Sequence, residues 1–240
     1  LEGEPPTETY DSGQSSFDIT LEIENLGEYF VLKEETQFKL RGLEAIAFGV
    51  ESSEFTKGVE ANLEEAKKDP DTGAVIPGTF TTLSFSGLSY SNSLAGNRNF
   101  EFVIDACYNY GTDVVSDLCI KEDNLDNDDT VCSNRGEKII HSSSSPIQII
   151  SLRQSPVSED TTSFSFTVKH LGSGLVFSKD SFCNGADLNA ENRVYVTVNS
   201  DIEGSLFCNG LSEETHGLVR LQNGEKIIRC QQQVSDPGDY

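Results

Sequence analysis

The sequence predicts an all-β protein of two tandem antiparallel β-sandwiches, with one short helix inserted in the first. Three observations point there. Short runs of alternating apolar and polar residues recur along the chain, separated by Gly, Asn, Asp and Ser. One pattern occurs twice: Phe17, Ile19, Leu21 and Ile23 alternate into Asn25-Leu26-Gly27, and Phe164, Phe166 and Val168 alternate into His170-Leu171-Gly172. The 240 residues are 36% hydrophobic with 14 Phe and 7 Tyr, so each half can bury a core.

Residues 1–16 are acidic and carry Pro5-Pro6, which reads as a flexible tail. The first sandwich spans 17–121, with strands expected at 17–25, 29–32, 37–43, 79–85, 99–110 and 114–120. The helix is expected over 59–68, where Val59, Leu63 and Ala66 recur at helical spacing and Asp69-Pro70 ends the run. Residues 122–146 are acidic and then serine-rich, the signature of a junction. The second sandwich spans 147–240. Its strands are expected at 147–152, 163–170, 174–177, 193–198, 204–207, 218–221 and 226–234.

The repeat extends further. Gly87-Leu88 leads to the strand at Phe100, and Gly217-Leu218 leads to the strand at Lys226. The first half then closes with a strand that the second lacks. An open edge is therefore expected beside residues 226–234, to be covered by a continuation of the chain or by another molecule. The first residue is Leu, which reads as a processed product or a fragment.

The net charge is −23, from 40 acidic and 17 basic residues. Repulsion on this scale excludes nucleic acid and anionic lipid as direct partners. It fits a secreted acidic protein, or one adapted to high salt. No apolar run is long enough to insert in a bilayer. No Asn-x-Ser/Thr sequon occurs, which leaves O-linked sugars as the form of glycosylation open to the Ser/Thr-rich stretches.

The six cysteines, Cys107, Cys119, Cys132, Cys183, Cys208 and Cys230, form no close CxxC pair. An even count in an acidic β-rich chain favours disulfides and an oxidising compartment. Cys107 and Cys119 flank a turn and could pair across it. Cys208 and Cys230 sit near neighbouring strands. Cys132 and Cys183 would then staple the two halves, or stay reduced, or pair differently.

Chemistry is sparse. His141, His170 and His216 lie far apart, and no nucleophile elbow, P-loop or dinucleotide fingerprint occurs. We expect no enzyme. Asp123, Asp126, Asp128 and Asp129 crowd hard oxygen ligands into one loop and form a candidate calcium site, against the plainer reading of a solvated acidic junction. The loop Asp69-Pro70-Asp71-Thr72-Gly73 is a weaker candidate of the same kind.

The alternating strand with its Asn-Leu-Gly or His-Leu-Gly turn resembles the immunoglobulin-like, cell-adhesion-related domains of archaeal and bacterial surface proteins. Ala106-Cys107-Tyr108-Asn109-Tyr110, Leu118-Cys119-Ile120 and Asn192-Arg193-Val194-Tyr195-Val196 are similar to segments of cysteine-containing surface proteins of small symbiotic archaea. The resemblance covers most of residues 17–234. It implies immunoglobulin-like sandwiches, an extracellular envelope location and no catalytic role. It also implies one more strand after a turn like Asp236-Pro237-Gly238. It carries over no functional residues.

The function expected is an extracellular structural or adhesive protein whose partners are other surface proteins or copies of itself. One alternative is a filament subunit completed by strand exchange. Another is a calcium-dependent glycan-binding module that uses the acidic loop and aromatics such as Tyr90, Tyr108 and Tyr110.

Overall fold

The computed structural model describes residues 8–69, 71–126 and 130–235. The chain divides into two compact units, Leu1–Tyr110 and Gly111–Tyr240. Every paired strand is antiparallel.

The first unit holds β1 (Phe17–Glu24), β2 (Thr36–Arg41), β3 (Thr56–Lys57), β4 (Lys67–Lys68), β5 (Val75–Ile76), β6 (Phe80–Leu88) and β7 (Val103–Tyr108). β1 pairs with β6, β2 lies between β3 and β7, and β4–β5 is a small hairpin. Alternation in β1 turns Ile19, Leu21 and Ile23 inward and leaves Asp18, Thr20, Glu22 and Glu24 exposed. These residues share one core with Leu83 and Phe85 of β6 and Phe38 and Leu40 of β2, so two layers close on each other. Each such side chain contributes about 1.5–3 kcal/mol by leaving water. Phe48 is the aromatic hub of this core, with ring centroids 5.2 Å from Phe100, 5.3 Å from Tyr90 and 6.2 Å from Phe17. Tyr90 is thus buried, not displayed as a binding aromatic.

Residues 59–68 form no helix. Val59, Leu63 and Ala66 are all buried, as helical spacing demands, but the backbone bonds go elsewhere. Leu63 and Val31 exchange both backbone hydrogen bonds, and the Ala66 N–H donates to Gly27 O. The segment is spent on distant partners, so the local helix has no donors left. The close approach is visible at Gly78, where a Cβ would stand 2.3 Å from Asn25 O and 2.5 Å from Glu64 O. Among the described residues of the first unit, helical structure is limited to 3₁₀ turns at Lys33–Glu35, Ala45–Phe48 and Ser52–Phe55. Among residues 8–16, the Gly13 N–H donates to Tyr90 O and Asp11 accepts the Leu94 N–H, so this part of the expected tail is tied down.

The second unit holds β8 (Val114–Val115), β9 (Gly136–Glu137), β10 (His141–Ser142), β11 (Ile147–Ser158), β12 (Thr161–His170), β13 (Arg193–Thr197), β14 (Gly204–Asn209), β15 (His216–Arg220) and β16 (Glu225–Val234). Five strands form one sheet in the order β14-β16-β12-β11-β9, and β13 pairs with β15. Leu152, Phe164, Phe166, Val168 and Ile228 of the large sheet share a core with Val219 of β15, Val194 and Val196 of β13, and Cys208 and Cys230. The unit boundary falls at Gly111, earlier than the expected 121. Val114 and the expected junction belong to the second unit because β8 pairs with β10 and Ser143 N–H bonds Asp113 O.

The edge expected to be open is closed. β16 has β12 on one side and β14 on the other, both from its own chain. The extended repeat also fails in the pairing. β16 pairs with β12 as β6 pairs with β1, whereas β7, its counterpart by sequence, pairs with β2.

Candidate functional site

The molecule offers three candidate sites: the cross-links, the acidic segment and one groove. Cys208 of β14 and Cys230 of β16 face each other in register and form a disulfide inside the core. Cys119 bonds Cys132, thirteen residues on, and not Cys107 across the intervening turn. Cys132 is therefore not free for Cys183. Cys107 and Cys183 are disulfide-bonded as well, and no cysteine is free. A buried glutamine holds the Cys119 segment to the sheet. The Gln154 side chain accepts the Cys119 N–H at 3.0 Å and donates to Cys119 O at 2.6 Å and to Thr162 Oγ1 at 3.0 Å. Satisfying a buried amide in this way fixes the segment's register.

The acidic segment is built as turns. Asp123 Oδ1 accepts the Leu125 N–H at 2.8 Å, and the Asp126 N–H donates to Asp123 O. Asp128 and Asp129 lie outside the described residues. Among the described residues, no group of three or more His, Cys, Asp and Glu is placed to hold a metal. In the second candidate loop, Asp69 Oδ1 accepts the Asp71 and Thr72 N–H groups and the Thr72 hydroxyl. Those bonds to Thr72 hold its carboxyl below the usual aspartate range. The oxygens of Asp69 close the β4–β5 turn.

The groove lies on the outer face of the five-stranded sheet and encloses about 720 Å³. Strand alternation puts every second residue on this face. One cross-strand row runs Arg153, Ser165, Arg229, Asn209 over β11, β12, β16 and β14. The next row runs Ser155, Ser163, Gln231, Phe207. Arg135 closes the β9 end, and Phe207, 54% exposed, stands at the other. Among the described residues, no carboxylate lines the groove. Sequence reasoning missed it. The signal was present in the outward positions of β11, β12 and β16, where arginines are interleaved with Ser and Gln in an otherwise acidic chain. It needed the strand register to become a surface.

No protein-family model matches this chain, and no curated protein or solved structure is significantly similar to it.

Proposed function

We propose that this chain is an extracellular structural or adhesive protein of the cell surface, built from tandem immunoglobulin-like β-sandwiches and braced by disulfides. One observation carries the reading: all six cysteines are disulfide-bonded in a chain of antiparallel strands. Structural disulfides persist in oxidising compartments and are reduced in the cytosol. The placement of Cys208 and Cys230 within the core supports a structural role over a redox one, since a buried cross-link is closed to exchange partners. A charge of −23 suits an exposed, soluble spacer. No helix in the described residues is long and apolar enough to cross a membrane.

The test is to alkylate the protein in its source cells under acid quench and map its peptides without reduction, alongside antibody labelling of intact cells. We expect linked Cys119–Cys132 and Cys208–Cys230 peptides and labelling without permeabilisation. Free thiols throughout, or labelling that requires permeabilisation, would overturn the reading.

A further inference from the structure

We infer that the groove on the outer face of the five-stranded sheet binds an acidic saccharide without calcium. The inference deepens the adhesive reading by naming its ligand class, and in biological meaning it rests on that reading.

Charge favours such a ligand. The chain has 40 acidic residues against 17 basic ones, so acids to pair with are abundant. Four basic side chains take such partners: Arg41 binds Asp105, Lys57 binds Glu54, Lys67 binds Glu65 and Lys169 binds Glu225, whereas Arg98, Arg193 and Arg220 take none among the described residues, so what sets the groove apart is the gathering of its arginines on one face. Arg135, Arg153 and Arg229 form no ion pair among the described residues, although Glu137 is the register partner of Arg153. Three exposed guanidinium groups around a groove whose described lining has no carboxylate present many hydrogen-bond donors and no anionic acceptor of their own. A planar guanidinium takes a carboxylate or sulfate through two parallel bonds.

The surface between the arginines suits the same ligand. It consists of hydroxyls and side-chain amides, which donate to and accept from sugar hydroxyls, and it ends at exposed Phe207, against which the apolar face of a sugar ring can lie. A peptide is a poorer fit. β12 and β16 have both backbone edges paired, so a peptide lying over them finds no strand to extend, and no apolar trough receives a helix. The volume of about 720 Å³ suits a few sugar units. The −23 background also selects against densely charged chains. Single-stranded nucleic acid carries a charge about every 3.4 Å and meets the full repulsion. A saccharide with one acidic group on some of its units meets less.

Calorimetry on the purified full chain, with EDTA present, tests this against uronate and sulfated oligosaccharides, each beside its methyl-esterified or desulfated counterpart. We expect at least one acidic saccharide to bind tenfold or more tighter than its neutral form. The Arg153→Ala/Arg229→Ala double variant should lose at least tenfold, and Phe207→Ala several-fold. The Arg153→Lys/Arg229→Lys variant should also weaken binding, because it keeps the charge and loses the fork. All these side chains are exposed, so unchanged melting curves will show that the variants fold.

The proposal is overturned if no acidic saccharide is preferred over its neutral form, or if binding requires calcium. It is equally overturned if the arginine variants bind as the native chain does. Tighter binding of an oligonucleotide or an acidic peptide, or an effect of the variants confined to self-association in light scattering, would assign the groove to those partners instead. Saccharide binding by a protein found reduced inside cells would sink the extracellular reading and leave the site. Surface labelling without binding would do the reverse.

Discussion

The two units solve the same problem with different materials. The first packs around aromatic rings, with Phe38, Phe48, Phe55, Phe85 and Tyr90 all buried in one cluster. Cys107 is its one cysteine. The second buries Phe164 and Phe166 from a single strand and places the Cys208–Cys230 bond in the core beside them. The second core thus holds a covalent link where the first relies on ring packing alone. Small cores with little aromatic surface gain from such links because a link restricts the unfolded chain. Substitutions in the two cores should therefore separate cleanly, and hydrogen exchange read peptide by peptide can follow each unit in the same sample.

The largest expected effect is in the first unit. Phe48 is 2% exposed and touches three rings, so Phe48→Ala removes the hub and leaves a cavity. We expect a loss of about 3–5 kcal/mol. Exchange should accelerate in peptides of β1, β2 and β6 while β12 and β16 keep their protection. Equal loss of protection in both units would break the contrast between them.

Next comes the cross-link. The Cys208→Ala/Cys230→Ala variant frees a loop of 22 residues and removes two buried sulfurs. A destabilisation of about 3 kcal/mol is expected, confined to peptides of β12, β14 and β16. If denaturant melts of that unit are unchanged, the bond is ornamental and the contrast fails.

A subtler difference sits at the shared Leu-Gly turn. In the first unit, the buried Asn25 side chain donates to Tyr29 O at 2.8 Å and Leu63 O at 3.2 Å and accepts the Gly27 N–H at 3.1 Å. In the second, the work passes to the backbone: the His170 N–H donates to Gly224 O and the Leu171 N–H to Pro146 O. The same sequence signal thus marks a side-chain staple in one unit and a main-chain one in the other. Asn25→Ala should cost about 1–3 kcal/mol, because it strands buried groups. His170→Ala should cost under about 0.5 kcal/mol, because the backbone bonds survive. Comparable losses from both in chemical denaturation would show that the turns are equivalent after all.

How much of this was legible follows from where each signal lives. β1, β12 and β16 could be read off because one face of each is buried, so apolar residues recur at every second position over most of their length. The spacing of Val59, Leu63 and Ala66 is that of a helical stripe, but Leu63 bonds Val31 and Ala66 bonds Gly27, partners over thirty residues away in the chain. The unit boundary was misplaced for a related reason: Gln154 holds the segment around Cys119 through bonds no local pattern announces. The cysteines announced cross-links, but not that Cys119 would reach Cys132. The groove needed register. Arg153 and Arg229 are far apart in sequence and become neighbours across Ser165 only when three strands align.

The smallest expected effect concerns pH and the turn between β11 and β12. The Asp160 carboxylate accepts the Ser158 hydroxyl at 2.7 Å, the Thr161 hydroxyl at 3.0 Å and the Gln233 amide at 3.4 Å. These donors favour the charged form and hold the carboxyl below the ordinary aspartate value of 3.8. A group depressed on folding lends stability that is present above its unfolded value and is lost as pH falls through its folded one. The carboxylate lies at the surface of a half-buried residue, so solvent screening keeps the effect small. Asp160→Asn should loosen the turn at about pH 7, seen as faster exchange of the Thr161 and Val234 amides. The difference from the native chain should shrink toward zero as pH drops to about 2, because both side chains are then neutral. A difference that persists unchanged at low pH would mean that the turn depends on the shape of the side chain and not on its charge.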